Sequence, residues 1–177
     1  YTGVLRDRLA EVTRVSTEAL HCRTCSIFLV DPENLNRIVL RATTSERLHG
    51  RIGRAYYCLG EGLTGGVAKL CRPLRLTEVG DDAELARDNP DFAEARIAGA
   101  RKHDASVQGE PREQEYLAIP VLWRQNGETE AELCGVIRCV GKVNIESFCH
   151  QDQQLLEAIA DRVATGVKHL ESLAEQR

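Results

Sequence analysis

Apolar residues recur along this chain with two different periods, and the switches between them mark out its elements. Val4, Leu5, Leu9, Val12, Val15 and Leu20 stand at helical spacing with charge between them, which predicts a helix over about 3–20. Cys25-Ser26-Ile27-Phe28-Leu29-Val30-Asp31 is then a short apolar run that ends in a turn sequence, Asp31-Pro32-Glu33-Asn34. Arg37 to Ala42 supplies a hairpin partner. Ala55 to Leu59 is strand-like, and residues 60–71 hold a glycine loop that opens a short apolar helix. Pro73 to Leu76 reads as another short strand. Residues 77–113 are polar and acidic, are broken at Asn89-Pro90 and Gly109-Glu110-Pro111, and have Phe92, Ile97 and Val107 as apolar anchors. They form the long irregular segment, a kind of loop that is usually functional or mobile.

Two strong strands follow, Tyr116 to Trp123 and Leu133 to Val143, with turn chemistry at Asn126-Gly127. The chain closes on a helix over about 152–175, where Leu156, Ile159, Val163, Leu170 and Leu173 recur at spacings of three, four and seven. Helix, two strands, loop and helix, strand, long loop, two strands and helix predict an antiparallel sheet flanked by helices, an α+β fold. No internal repeat or low-complexity tract interrupts this order.

Composition narrows the function. At 177 residues the chain is long enough for one domain with a real core and short for two. A net charge of −4 argues against a nucleic-acid surface, and no apolar run approaches a membrane span. The chain starts at Tyr1 and has no Met, so it is expected to be excised from a longer polypeptide. Its seven cysteines are odd in number and sit mostly inside apolar runs, which favours reduced thiols and a cytoplasmic setting.

Gly60-Glu61-Gly62-Leu63-Thr64-Gly65-Gly66 is the richest motif. Glycines ahead of a helix N-terminus bring backbone N–H groups close to a neighbouring anion or ring-shaped ligand. No Lys-Ser or Lys-Thr pair follows, and the spacing is not that of a dinucleotide loop, so neither phosphate motif applies.

The remaining candidates carry less. Cys22-Arg23-Thr24-Cys25 is a lone C-x-x-C at the end of a helix and lacks the two further ligands a zinc site needs, so these read as packing cysteines. Cys134 and Cys139 lie five apart on one strand, so they are expected on opposite faces and unable to share an ion. His21, His49, His103, His150 and His169 show no ligand spacing, which gives no support to haem or metal. No nucleophile elbow exists, and Ser26 and Ser106 have no identifiable base, so no catalytic residue is assigned. Asp81-Asp82 and the acidic stretch 128–132 read as solvated loop charge.

Taken together, the segments resemble a GAF domain, the small-molecule-binding regulatory module of phosphodiesterases, sensor kinases and nucleotide cyclases. The carriers are Cys22-x-x-Cys25 with its strand to Asp31, the Gly60–Gly65 loop followed by Val67-Ala68, Leu117 to Val121, Cys134 to Arg138, and Gly141-Lys142…Phe148-x-x-x-Asp152-Gln153. The resemblance implies one domain over 1–177, with a six-stranded antiparallel sheet, signalling helices at both ends, and a pocket on the face opposite them. That pocket would be roofed by the glycine loop and the 77–113 segment. It further implies ligand contacts at Ser26, Gly62, Leu63, Thr64, Gly65 and Phe92, and a structural ion pair between Lys142 and Asp152.

Several positions depart from particular branches. Arg41-Ala42-Thr43 stands where cyclic-nucleotide members keep an acidic residue, and the signature's Asn and Glu are Gly141 and Gln153, which weakens cyclic GMP or AMP as ligand. A bilin is disfavoured because the only Cys-His pair, Cys149-His150, follows the last strand. Free methionine sulfoxide reductase, an enzyme on this fold, carries its cysteine in the loop where Thr64 stands here. The expected function is a sensory module that binds a small ligand and acts on a kinase, cyclase or similar output domain as a homodimer through its terminal helices. The alternatives are a ligand-free dimerisation module and a cysteine-based redox or metal sensor.

Overall fold

The computed structural model describes residues 3–78, 82–94, 115–143 and 146–177. Helix α1 (Gly3–Leu20) leads into the hairpin β1 (Cys22–Asp31) and β2 (Asn34–Thr43), a short helix α2 (Glu46–His49) and strand β3 (Tyr56–Cys58). Helix α3 (Gly62–Leu70), strand β4 (Leu74–Leu76) and helix α4 (Asp82–Asp88) follow. Strands β5 (Tyr116–Trp123) and β6 (Glu132–Lys142) and the long helix α5 (His150–Glu175) complete the fold.

The strands form one six-stranded sheet in the order β3-β2-β1-β6-β5-β4, with antiparallel pairing throughout. This is the α+β architecture expected from the sequence. The central strand β6 is covered on both faces, which explains why Leu133 to Val140 is almost continuously apolar. Its Gly135 sits where an added Cβ would lie 2.0 Å from the Phe28 carbonyl oxygen, so β1 and β6 can approach only with glycine there.

Each face of the sheet carries its own core. On one, α1 and α5 press Leu9, Leu20, Leu156, Ala160, Val163 and Val167 onto Ile27, Leu29, Leu117, Ile119 and Ile137. On the other, α2, α3 and α4 cover Phe28, Ile38, Leu40, Tyr116, Ala118, Val136 and Val140. Alternation along the strands divides the two sets, because successive side chains leave a strand on opposite faces. Among the described residues, no helix is long and apolar enough to cross a membrane.

Two expectations need correction. The first part of the supposedly irregular 77–113 segment is helical, because α4 spans Asp82–Asp88. Glu84 anchors it by accepting from the Thr77 backbone N–H at 3.0 Å, and Leu85 is 1% exposed beneath it. Ile97, Val107, His103 and Ser106 lie outside the described residues. Cys134 and Cys139 are not on opposite faces: both belong to the core under α1 and α5. Val121 pairs with Gly135 and Leu122 with Leu133, so Cys134 is the extra residue of a bulge, which reverses the side-chain alternation there. The stripes of the terminal helices also split. Leu9, Leu20, Leu156 and Val163 are buried, whereas Val4, Val15 and Leu173 are 56%, 42% and 44% exposed.

Candidate functional site

A row of directly opposed residues runs across the sheet on the face away from α1 and α5. Thr43 on β2 faces Ser26 on β1, Ser26 faces Arg138 on β6, Arg138 faces Ala118 on β5, and Ala118 faces Leu74 on β4. Arg138 is 1% exposed, placed by a central strand whose neighbours are apolar. Its guanidinium carbon lies 5.0 Å from the Phe28 ring centroid and 5.9 Å from that of Tyr57. Such stacking suits a weakly hydrated guanidinium.

Helix α3 and two strands bring hydroxyls to this head. Arg138 Nη1 donates to Tyr57 Oη at 2.9 Å and to Thr64 Oγ1 at 3.2 Å. Thr64 Oγ1 and Tyr116 Oη share a further hydrogen bond of 2.9 Å. Thr64 is 1% exposed in the first turn of α3, so the glycine motif delivers its hydroxyl straight into the polar cluster. Four residues from β3, α3, β5 and β6 thus converge in an apolar layer. Buried polar networks of this kind fix a local geometry, because each member is costly to leave unmatched.

The glycines act in different ways. Gly60 and Gly62 have φ of +85° and +65°, the left-handed region that glycine enters without strain. The Gly60 N–H donates to the Gly65 carbonyl and the Glu61 N–H to the Cys58 carbonyl, so these two donors are used within the loop and do not point at an anion. Gly65 serves close packing, since a Cβ there would stand 2.4 Å from the Cys58 carbonyl oxygen. Leu63 is 8% exposed and belongs to the core of this face.

Ser26 Oγ shares a hydrogen bond of 2.8 Å with Thr43 Oγ1, one position along the row from Arg138. Phe92 is buried in the same core, with the Arg72 guanidinium carbon 5.6 Å from its ring centroid. Ser26, Leu63, Thr64, Gly65 and Phe92 therefore share one side of the sheet. Lys142 and Asp152 lie elsewhere, where the last strand meets α5. There Lys142 Nζ is 3.0 Å from Asp152 Oδ2 and donates to the Leu20 carbonyl at 2.8 Å. The Asp152 carboxyl is held below its ordinary range. Its partial burial opposes this, and hydrogen bonds from the Cys149 backbone N–H and Lys142 outweigh it.

Sequence reasoning missed Arg138, Tyr57 and Tyr116 as site residues. The available signal was an arginine in the middle of an otherwise apolar strand, Val136-Ile137-Arg138-Cys139-Val140. A cation there must find partners on a neighbouring element. The four described histidines are all exposed; His150 and His169 stand at opposite ends of α5, and His21 and His49 lie on other parts of the chain. Among the described residues, no three His, Cys, Asp or Glu side chains are arranged to hold a metal ion.

The GAF domain family model matches residues 4–167. A comparison with the curated proteins finds no match. Among solved structures, the chain is similar to the GAF domain of a phosphoenolpyruvate-protein phosphotransferase from Coxiella burnetii, at 22% identity with a TM-score of 0.67, covering 97% of this chain and 86% of that one. It is also similar to the second GAF domain of DevS from Mycobacterium smegmatis, at 12% identity and a TM-score of 0.65, covering 98% and 99%. A third likeness is to type II free methionine-R-sulfoxide reductase from Thermoplasma acidophilum, at 18% identity and a TM-score of 0.60, covering 92% and 91%. At these identities the likenesses show a common fold.

Proposed function

This chain belongs to the GAF domain family of regulatory and sensory modules in signalling proteins, and on that premise we propose that it binds a small molecule on the sheet face opposite α1 and α5. The observation that carries this reading is the buried cluster of Arg138, Tyr57, Thr64 and Tyr116, hydrogen-bonded together inside an otherwise apolar layer. Ligand sites commonly have this make-up, mostly apolar walls with a few placed polar groups that fix orientation. The ligand would touch the cluster from the side of Ser26, Thr64 and Phe92.

Transmission would run along β6. Arg138 and Lys142 lie on that strand four residues apart, and Lys142 ties it to the end of α1 and the start of α5. A ligand that favours one setting of this strand shifts the population of helix positions, which an output domain can read. The domain itself would do no chemistry. The open groove of about 400 Å³ between α1 and α5, lined by Leu5, Leu9, Val12, Ile159, Val163 and Leu170, supports a second copy of the chain as partner. Seven free cysteines support a reducing, cytoplasmic setting.

Native mass spectrometry of freshly purified protein tests the ligand. A retained small-molecule mass that is lost in Thr64→Arg, with the circular dichroism spectrum unchanged, is the expected result. Absence of any such mass, together with no thermal shift across a panel of metabolites including cyclic GMP and cyclic AMP, would leave the dimerisation reading in its place.

A further inference from the structure

Two thiols face each other across the centre of the sheet, and the ligand reading uses neither. Cys25 on β1 lies directly opposite Cys139 on β6, and both belong to the core beneath α1 and α5. Opposed residues on antiparallel strands are of two kinds, and backbone hydrogen bonds tell them apart. The Cys25 N–H donates to Thr44 Oγ1 at 2.9 Å, and the Cys25 carbonyl accepts from the Thr44 N–H at 3.0 Å. Both backbone groups of Cys25 are thus used on the side away from β6. On β6, the Gly141 N–H donates to the Glu115 carbonyl at 2.8 Å, and Cys139 opposes Leu117 two positions along. Bonded pairs recur at every second residue of a ladder, so the backbone groups of Cys139 turn towards β5. Cys25 and Cys139 are therefore a non-hydrogen-bonded pair, the closer kind, with Cα atoms about 4.5 Å apart. That separation lies within the range a disulfide spans, so bonding here needs little backbone movement.

We propose that Cys25 and Cys139 form a two-thiol redox couple that a hydroperoxide converts into a cross-strand disulfide joining β1 to β6. The couple lies on the face away from Arg138 and does not depend on the ligand reading. Cys22 shares this core, but it opposes Lys142 and its Sγ donates to the Thr24 carbonyl at 3.6 Å. Hydrogen bonds with Cys22 and Cys25, and then burial, push the Cys139 thiol well above its ordinary range and keep it protonated. Cys25 is accordingly the sulfur that attacks first and Cys139 the one that resolves.

In the first step the Cys25 sulfur gives up its proton and attacks one peroxide oxygen, and the O–O bond breaks. The departing alkoxide or hydroxide takes up that proton, and Cys25 becomes a sulfenic acid. In the second step the Cys139 sulfur attacks the Cys25 sulfur, the S–S bond forms and the S–O bond breaks. The released hydroxide leaves as water with the Cys139 proton. Two thiols and one hydroperoxide give one disulfide, one alcohol or water, and one further water, with two electrons passing from sulfur to oxygen. A small dithiol reverses the bond by exchange.

Burial sets the condition for this chemistry. Both thiols are 0% exposed under α1 and α5, so a peroxide meets them only when the helix pair opens locally from the sheet. A groove of about 400 Å³ already parts the two helices. Oxidation therefore records helix opening, and the bond it leaves joins the two central strands on which the helices rest.

Tryptic mapping of the whole chain provides the test. Cleavage after Arg23 and Arg138 puts Cys22, Cys25, Cys134 and Cys139 on four separate peptides. The folded protein is treated with hydrogen peroxide until exposed Cys149 is oxidised, then denatured and alkylated with N-ethylmaleimide. Peptide 24–37 should be found linked to 139–142, and dithiothreitol should release it. The linkage should form severalfold faster in urea kept below the unfolding transition. In Cys139→Ser with an unchanged circular dichroism spectrum, dimedone labelling of Cys25 should rise severalfold. Linkage of 139–142 to 15–23 instead overturns the pairing. Cys25 and Cys139 that both stay fully alkylatable once Cys149 is oxidised overturn the couple itself.

Discussion

Lys142 on β6 and Asp152 in the first turn of α5 stand 3.0 Å apart, with side chains only 9% and 15% exposed. The same Asp152 Oδ2 accepts from the Cys149 N–H at 2.9 Å, and the Lys142 ammonium lies 5.4 Å from the centre of the Phe148 ring. One carboxylate thus caps the closing helix and pins it to the last strand.

Asp152→Asn keeps a cap acceptor and removes the charge, and should cost about 1–3 kcal/mol at pH 7 by urea unfolding. The pH dependence has a definite sign. The folded-state pKa of Asp152 lies below its unfolded value, so its contribution is full above the ordinary carboxylate range and is lost as pH falls through the depressed value. The gap between wild type and Asp152→Asn should therefore narrow below about pH 4. A gap that stays constant down to pH 2.5 would contradict this assignment.

Thr64→Val removes the hydroxyl that meets both Arg138 and Tyr116 at nearly constant volume. Stability should fall by about 1–3 kcal/mol in urea titration, and any bound small molecule should be lost. Retention of the ligand with unchanged affinity would show that the cluster is purely structural.

Two glycines should respond oppositely to alanine. At Gly135 the new Cβ meets backbone, 2.0 Å from the Phe28 carbonyl oxygen, and neither strand can yield cheaply. A loss of about 1–3 kcal/mol or more is expected. At Gly166, within α5, nothing lies within 4 Å of the added carbon, and removing a helical glycine should stabilise by about 1 kcal/mol. Thermal unfolding of the two variants side by side checks both signs.

Val15 lines the groove between α1 and α5 and is 42% exposed. Val15→Arg should convert a dimer into a monomer on sedimentation while changing unfolding by no more than about 0.5 kcal/mol. A wild-type protein that sediments as a monomer at high concentration would remove the second copy as partner.

The elements were largely legible because each writes its own period. Helices α1 and α5 and strands β1, β5 and β6 follow from local alternation, and the glycine loop announces the start of α3. Helix α4 was hidden, since among the described residues of the polar stretch around it only Leu85 and Phe92 are buried apolar side chains. The face shared by Cys134 and Cys139 was hidden too, because a bulge depends on how a partner strand pairs.

The sequence by itself determined the order of elements, the α+β class and the family motifs, since hydrophobic period and turn chemistry act over a few neighbouring residues. Tertiary structure alone decided which distant residues became partners. Thr64 and Arg138 are 74 positions apart, and Tyr57 and Arg138 are 81. Their meeting depends on strand order and on α3 settling over β6, and no local pattern encodes that. The same holds for Cys25 and Cys139, set opposite each other only when β1 pairs with β6.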